Sequence, residues 1–163
     1  MQLTRNNKWL NSIELKTFLK DEKTLEWLKE EGSITKKISS KAEFKLEILH
    51  DDIGTAEDEE YTALKITPED VRIREVILFG NSSPLVYARS IIPNLTSSKG
   101  YPGLGSIGTK PLGDLLFQSK LFVKTKREFA QFKMLDGKIV WGRRTNYLVR
   151  DYPLSVMEVF LSP

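Results

Sequence analysis

The sequence feature that most constrains the fold is a hairpin signal at Asp136-Gly137, which lies between two long strand-like segments. The segments run from about Leu121 to Met134 and from about Lys138 to Val149. An Asp-Gly pair between such segments favours a tight turn, because its residues readily adopt the positive φ angles that the turn requires. The sequence therefore predicts two long antiparallel strands joined by a hairpin.

Four further segments are predicted to be strands, since their apolar residues alternate with polar ones or form short runs between turn residues. They span residues 43–48, Val71–Phe79, Leu85–Ile92 and Leu154–Leu161. Helices are predicted at Ser12–Lys20, at 24–30 with Thr24 as the cap, and at Pro111–Phe117, and loops at Asp51–Asp58 and Asn94–Thr109. Because the elements do not alternate as β-α-β, we expect an α+β fold. It would be a single domain over residues 1–163, with a mainly antiparallel sheet of about six strands and helices packed on one face.

Composition excludes several kinds of active site. The 163 residues include no cysteine, which excludes disulfides, thiolate nucleophiles and cysteine-bound metals. The one histidine, His50, follows a predicted strand, and we expect it in a surface loop rather than in a catalytic site. No apolar run approaches the roughly 18 residues of a membrane span, and the first residues lack the pattern of a signal peptide. We therefore expect a cytoplasmic protein without a membrane partner.

Two features suggest nucleotide or nucleic-acid binding but lack the supporting context. Gly103–Gly108 matches Gly-x-Gly-x-x-Gly, yet no buried strand precedes it and no parallel unit follows, so we predict a flexible loop. Basic residues cluster at Lys124–Arg127 and at Arg143-Arg144, while the formal net charge is only +3. A solvated strand face explains these residues as well as a nucleic-acid surface does. We do not expect a nucleic-acid partner.

Arg74 is the most informative residue, because it is a charged side chain at a point where both faces of its strand carry apolar residues. Within Val71–Phe79 it shares a face with Val76, and the opposite face is apolar as well. A buried guanidinium without a partner is strongly destabilising, so an anion must lie beside it. Its planar fork suits a carboxylate, which could belong to the protein or to a ligand.

Glu158 is the matching anomaly in the last predicted strand, where Val156 and Phe160 share its face. A carboxylate among apolar side chains needs a cation or hydrogen-bond donors. The residues alone leave two interpretations open: a plain Arg74–Glu158 salt bridge between strands, or a functional pair that binds a ligand. Arg89 shares a face with apolar residues of its own strand, and we expect a cross-strand or surface role for it.

Six segments together point to a known family, although none of them is decisive alone. They are Gly32–Lys37, Arg74–Leu78, Ala88–Pro93, Leu104–Phe117 with its ending Pro111-Leu112-Gly113-Asp114-Leu115-Leu116-Phe117, Trp141–Arg144 and Glu158–Pro163. In their order and spacing these segments resemble the bacterial chorismate pyruvate-lyases, and Gly32–Lys37 is similar to the N-terminal flap of that family. Residues 42–67 match poorly.

The resemblance implies a cofactor-free enzyme that splits chorismate into 4-hydroxybenzoate and pyruvate for quinone synthesis of the ubiquinone type. It also implies a buried site beneath two flaps, and we expect a monomer. In the family, the arginine matching Arg74 binds the ring carboxylate and the glutamate matching Glu158 hydrogen-bonds the ring hydroxyl. Backbone groups at the positions of Ile34 and Leu112 complete the contacts. The family often has methionine in place of Ile34, and a backbone contact should tolerate this difference.

Other functions stay open at this point. A related fold serves as the effector domain of bacterial transcription regulators. Fewer than 45 residues precede the first predicted strand here, too few for the DNA-binding domain of such regulators. A free-standing sensor of small aromatic acids, a basic nucleic-acid module and an enzyme that gives another hydroxybenzoate remain alternatives. The route of the ring hydrogen, to a base or directly to the leaving enolpyruvyl group, also stays open.

Overall fold

The computed structural model describes residues 1–163 and contains seven β-strands and five α-helices. The strands are β1 (Leu3–Arg5), β2 (Phe44–Thr55), β3 (Asp70–Gly80), β4 (Ser83–Pro93), β5 (Phe122–Met134), β6 (Ile139–Val149) and β7 (Tyr152–Phe160). The helices are α1 (Ser12–Phe18), α2 (Glu22–Leu28), α3 (Ile34–Ser39), α4 (Asp58–Leu64) and α5 (Leu112–Gln118). A π-helical turn at Thr96–Gly100 and a 3-10 turn at Pro102–Ser106 lie between β4 and α5. None of the helices has the length and apolar character needed to cross a membrane.

The seven strands form one antiparallel sheet in the order β1-β5-β6-β7-β4-β3-β2. The α+β class is therefore confirmed, with seven strands instead of the roughly six expected. The additional strand, β1, pairs with the free edge of β5, with Leu3 opposite Met134. It has only three residues, so it contains no alternation from which a strand could be predicted.

The two faces of the sheet have different neighbours, and we name them by residues of β3. The cavity face carries Arg74, Val76 and Leu78, whereas the rear face carries Ile73 and Ile77. Helices α1, α2 and α3 pack on the cavity face in one apolar cluster, and α5 packs on the same face nearer the other end of the sheet. Helix α4 packs on the rear face, so it departs from the expectation that the helices cover one face.

The predicted acidic loop at Asp51–Asp58 is wrong, because strand β2 continues to Thr55 and α4 begins at Asp58. Tyr61 and Leu64 of α4 are buried against β3 and β4. Acidic residues suit the first turn of this helix, since the helix dipole favours negative charge at its N-terminus. Of the acidic residues that suggested a loop, Asp51 and Asp52 therefore belong to β2, and Glu57 and Asp58 mark the start of a short amphipathic helix.

Local signals account for several element boundaries. The hairpin at Asp136-Gly137 is confirmed, with a φ angle of 89° at Gly137 and a hydrogen bond of 2.9 Å from its N–H to the carbonyl of Met134. The predicted cap of the second helix is wrong by three residues. Asp21 is the N-cap, and its carboxylate accepts the N–H of Thr24 at 3.0 Å.

Candidate active site

A cavity of about 390 Å³ lies between the cavity face of the sheet and the segments that begin α3 and α5. We call it the site cavity. The four residues predicted to form the site, Arg74, Glu158, Ile34 and Leu112, all line it. The side chains of Val76, Leu78, Ala88, Leu116, Phe122 and Val156 contribute apolar wall. The sheet thus supplies the floor of the site cavity, and two short helices supply its cover.

Arg74 lies on the floor with only 2% of its side chain exposed. Nη1 donates to Asp51 Oδ2 at 2.9 Å and to the carbonyl of Gly108 at 2.8 Å, and Nη2 donates to the carbonyl of Lys110 at 2.9 Å. Gly108 has a φ angle of 62°, which glycine adopts without strain. Nε–H and one N–H of Nη2 have no protein acceptor, so Arg74 retains donors for a ligand.

The partner of Arg74 reaches the cavity face through a β-bulge in β2. Ile48 lies opposite Val76, but His50 lies opposite Glu75, so one extra residue intervenes in β2. A bulge of this kind reverses which face the following residues point to. Asp51 is thereby placed opposite Arg74 on the cavity face. His50 is exposed, as expected, although it lies within the strand and not in a loop.

Glu158 is held by Arg143 and not by Arg74. Nε of Arg143 donates to Glu158 Oε1 at 2.9 Å, across the pairing of β6 with β7. Arg74 and Glu158 have separate partners in the protein, so the plain salt bridge between them is wrong. Glu158 Oε2 accepts no hydrogen bond from the protein, which leaves this oxygen for a ligand.

Arg127 and Arg143 are site residues that the sequence interpretation missed. Both donate from Nη1 to the carbonyl of Glu30, at 3.2 Å and 2.7 Å, so the two guanidinium groups converge on one oxygen. Burial lowers the pKa of Arg127, and the positive charge of Arg143 lowers it further. Burial also raises the pKa of Tyr147 on the same wall, and the charge of Glu158 raises it further. The sequence signal that could have found Arg143 is the alternation in the last two strands. It places Arg143 on the same face as Glu158, and the two residues lie side by side once the register of the strands is known.

Ile34 and Leu112 are the first residues of α3 and α5. The N–H of a first helical residue has no acceptor within the helix, which makes it available to a ligand. Ser33 and Asp114 connect the two covering segments, because Ser33 Oγ donates to Asp114 Oδ1 at 2.7 Å. We call this hydrogen bond the latch, since it joins the starts of the two helices above the site cavity.

Arg89 and Arg144 lie on the rear face and do not reach the site cavity. Arg89 donates to both carboxylate oxygens of Glu60 at 2.8 and 2.9 Å and pairs with Glu75 across the strands at 3.3 Å. This is the cross-strand role expected for it. Arg144 pairs with two glutamates on the same face. The segment Arg143-Arg144 is thus buried and ion-paired rather than part of a solvated strand face.

Comparisons with known proteins identify the family of the chain. A model of the family described as chorismate lyase matches residues 3–163. A relative named probable chorismate pyruvate-lyase 2, from Pseudomonas entomophila, is 35% identical over 162 residues, which cover 94% of this chain and 87% of the relative. A probable chorismate pyruvate-lyase from Psychromonas ingrahamii is 32% identical over 155 residues, which cover 86% of this chain and 83% of the relative.

Solved structures add information about the fold alone. The ligand-binding domain of a putative GntR-family transcriptional regulator from Bordetella bronchiseptica superposes with a TM-score of 0.57 at 17% identity, covering 75% of this chain and 86% of that one. The C-terminal domain of the histidine utilization repressor from Pseudomonas syringae superposes with a TM-score of 0.55 at 14% identity, and the match covers 72% of this chain and 91% of that domain. Similarity of fold at such identities does not carry a function with it. The family model, in contrast, matches almost the whole sequence, and the chain therefore belongs to the chorismate lyase family of carbon–oxygen lyases.

Proposed function

We propose that this protein is a chorismate pyruvate-lyase that converts chorismate into 4-hydroxybenzoate and pyruvate without a cofactor. The observation that carries the proposal is that Arg74 and Glu158 both line one cavity while each keeps ligand-binding atoms free. The cavity volume of about 390 Å³ lies at the small end of the roughly 300–1,000 Å³ that is usual for ligand sites. A single-ring substrate fits this size class.

Arg74 and the cover would hold the carboxylate end of the substrate. The free Nε–H and Nη2–H of Arg74 can donate to the ring carboxylate as charge-assisted hydrogen bonds. The N–H groups of Leu112 and Ile34 would complete the anion site from above. Because Asp51 already balances the charge of Arg74, binding here would depend on hydrogen-bond geometry more than on net charge.

Glu158 would hold the opposite end, with Oε2 accepting a hydrogen bond from the ring hydroxyl. The reaction breaks the bond between the ring and the enolpyruvyl oxygen, and the ring loses the hydrogen next to it and becomes aromatic. The methylene carbon of the enolpyruvyl group gains a hydrogen and becomes the methyl group of pyruvate, and the ether oxygen becomes its keto oxygen. Aromatisation makes the reaction strongly favourable, so the protein mainly has to hold one conformation and exclude water.

Two routes for the hydrogen agree with this geometry, and a substitution distinguishes them. If Glu158 removes the hydrogen as a base, Glu158→Gln should lower kcat by about 10²–10⁴-fold. If the hydrogen passes directly to the enolpyruvyl group, the same variant should mainly raise KM, because it then loses only a positioning contact.

The test of the proposed function is to incubate the purified protein with chorismate and EDTA and to identify products by chromatography. We expect equimolar 4-hydroxybenzoate and pyruvate, and a strong increase of KM in Arg74→Ala. Another hydroxybenzoate would change the reaction assigned to the same site. Tight binding of 4-hydroxybenzoate without turnover would refute the lyase proposal in favour of a sensor, a function for which the likeness to regulator domains gives only a fold. An unchanged KM in Arg74→Ala would refute the role of this residue as an anchor.

We further propose that the protein acts as a monomer in the cytoplasm, with its product feeding quinone synthesis of the ubiquinone type. The family membership supports this placement. Gel filtration with light scattering tests the monomer, and a mass of two chains would contradict it. Quinone content in cells lacking the gene, with and without added 4-hydroxybenzoate, tests the pathway.

A further inference from the structure

We propose that Arg127 and Arg143 form a second carboxylate subsite, which binds the carboxylate of the enolpyruvyl side chain and makes the site cavity selective for a dicarboxylate. The inference rests on the proposed function, because it concerns the same cavity and the same substrate. It assigns a task to the partly buried Arg127 and to the part of the buried Arg143 guanidinium that does not contact Glu158.

The first argument is the geometry of the two guanidinium groups. Both lie at the wall where the chain leaves α2, and both donate to the carbonyl of Glu30. Nε of Arg127 is fixed by Thr145 Oγ1 at 2.8 Å, and Nε of Arg143 is fixed by Glu158. Nη2 of Arg143 has no protein acceptor, and the residue lines the site cavity. Two oriented guanidinium groups beside the site cavity are suited to binding a carboxylate.

The second argument is the balance of charge. At the Arg74 end of the cavity, Asp51 supplies a matching carboxylate. At the other end, Lys124 accompanies the two arginines, and the acidic partners are Glu158 and Glu31. Glu31 has 77% of its side chain exposed, and its oxygen lies 3.5 Å from Arg127, so solvent screens this pair. This end of the site therefore carries an excess of positive charge that a bound anion would balance.

The third argument is the shape of the proposed substrate. In chorismate the ring carboxylate and the ring hydroxyl lie at opposite ends of the ring, and the enolpyruvyl ether is on the carbon next to the hydroxyl. A ligand with its carboxylate on Arg74 and its hydroxyl on Glu158 has its side chain near the groups that surround Glu158. Arg143 contacts Glu158 directly. Arg127 lies beside Arg143, since both donate to the carbonyl of Glu30. The excess cations thus lie where the second carboxylate has to be.

The two arginines differ in a way that makes a clean experiment possible. Arg143 holds Glu158, so replacing it disturbs the hydroxyl contact as well. Arg127 makes no hydrogen bond to Glu158, so Arg127→Gln removes one cation and leaves the hydroxyl contact in place. The product, 4-hydroxybenzoate, has no second carboxylate. A subsite for that group should therefore distinguish the substrate from the product.

The experiment compares KM for chorismate with the inhibition constant of 4-hydroxybenzoate. We expect Arg127→Gln to raise KM at least about tenfold, equivalent to about 1.4 kcal/mol, with product inhibition nearly unchanged. Arg127→Lys, which keeps the charge but loses the fork, should give an intermediate KM, and it serves as the second variant if the glutamine variant folds poorly. Lys126→Gln removes a positive charge from the adjacent residue, which is exposed and paired with Glu128, and should change neither constant.

Four results would overturn the inference. Turnover with an unchanged KM in Arg127→Gln shows that the cation does not meet the substrate. An equal weakening of chorismate and 4-hydroxybenzoate shows a general structural role. If the wild-type protein binds chorismate without turnover, the proposed function has failed, and calorimetry then decides the subsite: equal chorismate affinity in wild type and Arg127→Gln rejects it, and weaker affinity in the variant supports it. Binding of neither compound rejects both proposals.

Discussion

The latch between Ser33 and Asp114 predicts how fast a bound product leaves. Asp114→Ala removes the acceptor of this hydrogen bond, while Ser33 can still cap α3 through the N–H of Lys36 at 3.1 Å. The other polar contact between the covering helices places Lys36 Nζ 5.2 Å from the ring centre of Phe117. The latch is therefore the main directional bond that holds the two covers together.

The magnitude follows from the chemistry of the bond. A hydrogen bond to a charged acceptor contributes about 1.5–3 kcal/mol, and partial exposure places the latch near the lower value. A loss of about 1.4 kcal/mol from the closed state corresponds to about a tenfold change in the opening equilibrium. We expect the dissociation rate of 4-hydroxybenzoate to rise by about this factor, and kcat to rise if opening of the cover limits turnover.

Stopped-flow displacement of bound 4-hydroxybenzoate measures the dissociation rate, and pre-steady-state kinetics show whether a product burst disappears in Asp114→Ala. Asp58→Ala is a matched control, since Asp58 also lies in the first turn of a helix but on the rear face. A dissociation rate within about twofold of wild type, with the fold intact, would refute the assignment of the latch; twofold corresponds to only about 0.4 kcal/mol. A wild-type reaction without a burst would refute the view that release is limiting.

Three further predictions concern single residues. Asp51→Ala leaves the buried Arg74 without its carboxylate, so the free energy of unfolding in urea should fall by about 3–5 kcal/mol, and a loss below about 1 kcal/mol would contradict the importance of this pair. Ile34→Met should leave KM within about threefold, because the proposed contact uses the backbone and the swap conserves volume; a larger change in steady-state assays would assign the contact to the side chain. Burial opposes the ionisation of Glu128, but hydrogen bonds from Arg144 and a lysine outweigh it and lower the pKa of this carboxyl. The contribution of ionised Glu128 to the free energy of unfolding is complete above the ordinary glutamate pKa of about 4.3, and it is lost as pH falls through the lowered pKa. Glu128→Gln should therefore reduce the pH dependence of the free energy of unfolding in urea between about pH 2 and 6. The same slope of this free energy against pH in wild type and variant would contradict the prediction.

The regular part of the sheet could be predicted because alternation and turn chemistry are local. The hairpin at Asp136-Gly137 follows from two residues, and the placement of Arg74 and Glu158 on the cavity face follows from the period of two in β3 and β7. These strands bring both residues to one cavity, although the roles assigned to them stay a prediction until the variants are measured.

The partners of these residues could not be predicted, because they depend on irregularity and on register. Asp51 reaches Arg74 only through the bulge in β2, which no alternation in the sequence marks. Arg143 reaches Glu158 only because β6 pairs with β7 in one particular register. The adjacent Arg144 looked equivalent in the sequence, but it points to the opposite face, since successive residues of a strand alternate. Long-range pairing thus decides which of two neighbouring arginines belongs to the site.

The division of the site between a floor of strands and a cover of short helices has a consequence for hydrogen exchange. The anchoring side chains belong to β3, β5, β6 and β7, whose amides are tied into the sheet and should exchange only when the whole protein unfolds. The amides of α3 and α5 depend on helices of six and seven residues, and they should exchange through local opening. A bound ligand should therefore protect the cover strongly while leaving exchange in the floor nearly unchanged. The side chains that recognise the ligand would then lie in the most stable part of the molecule, and control of access in its least stable part.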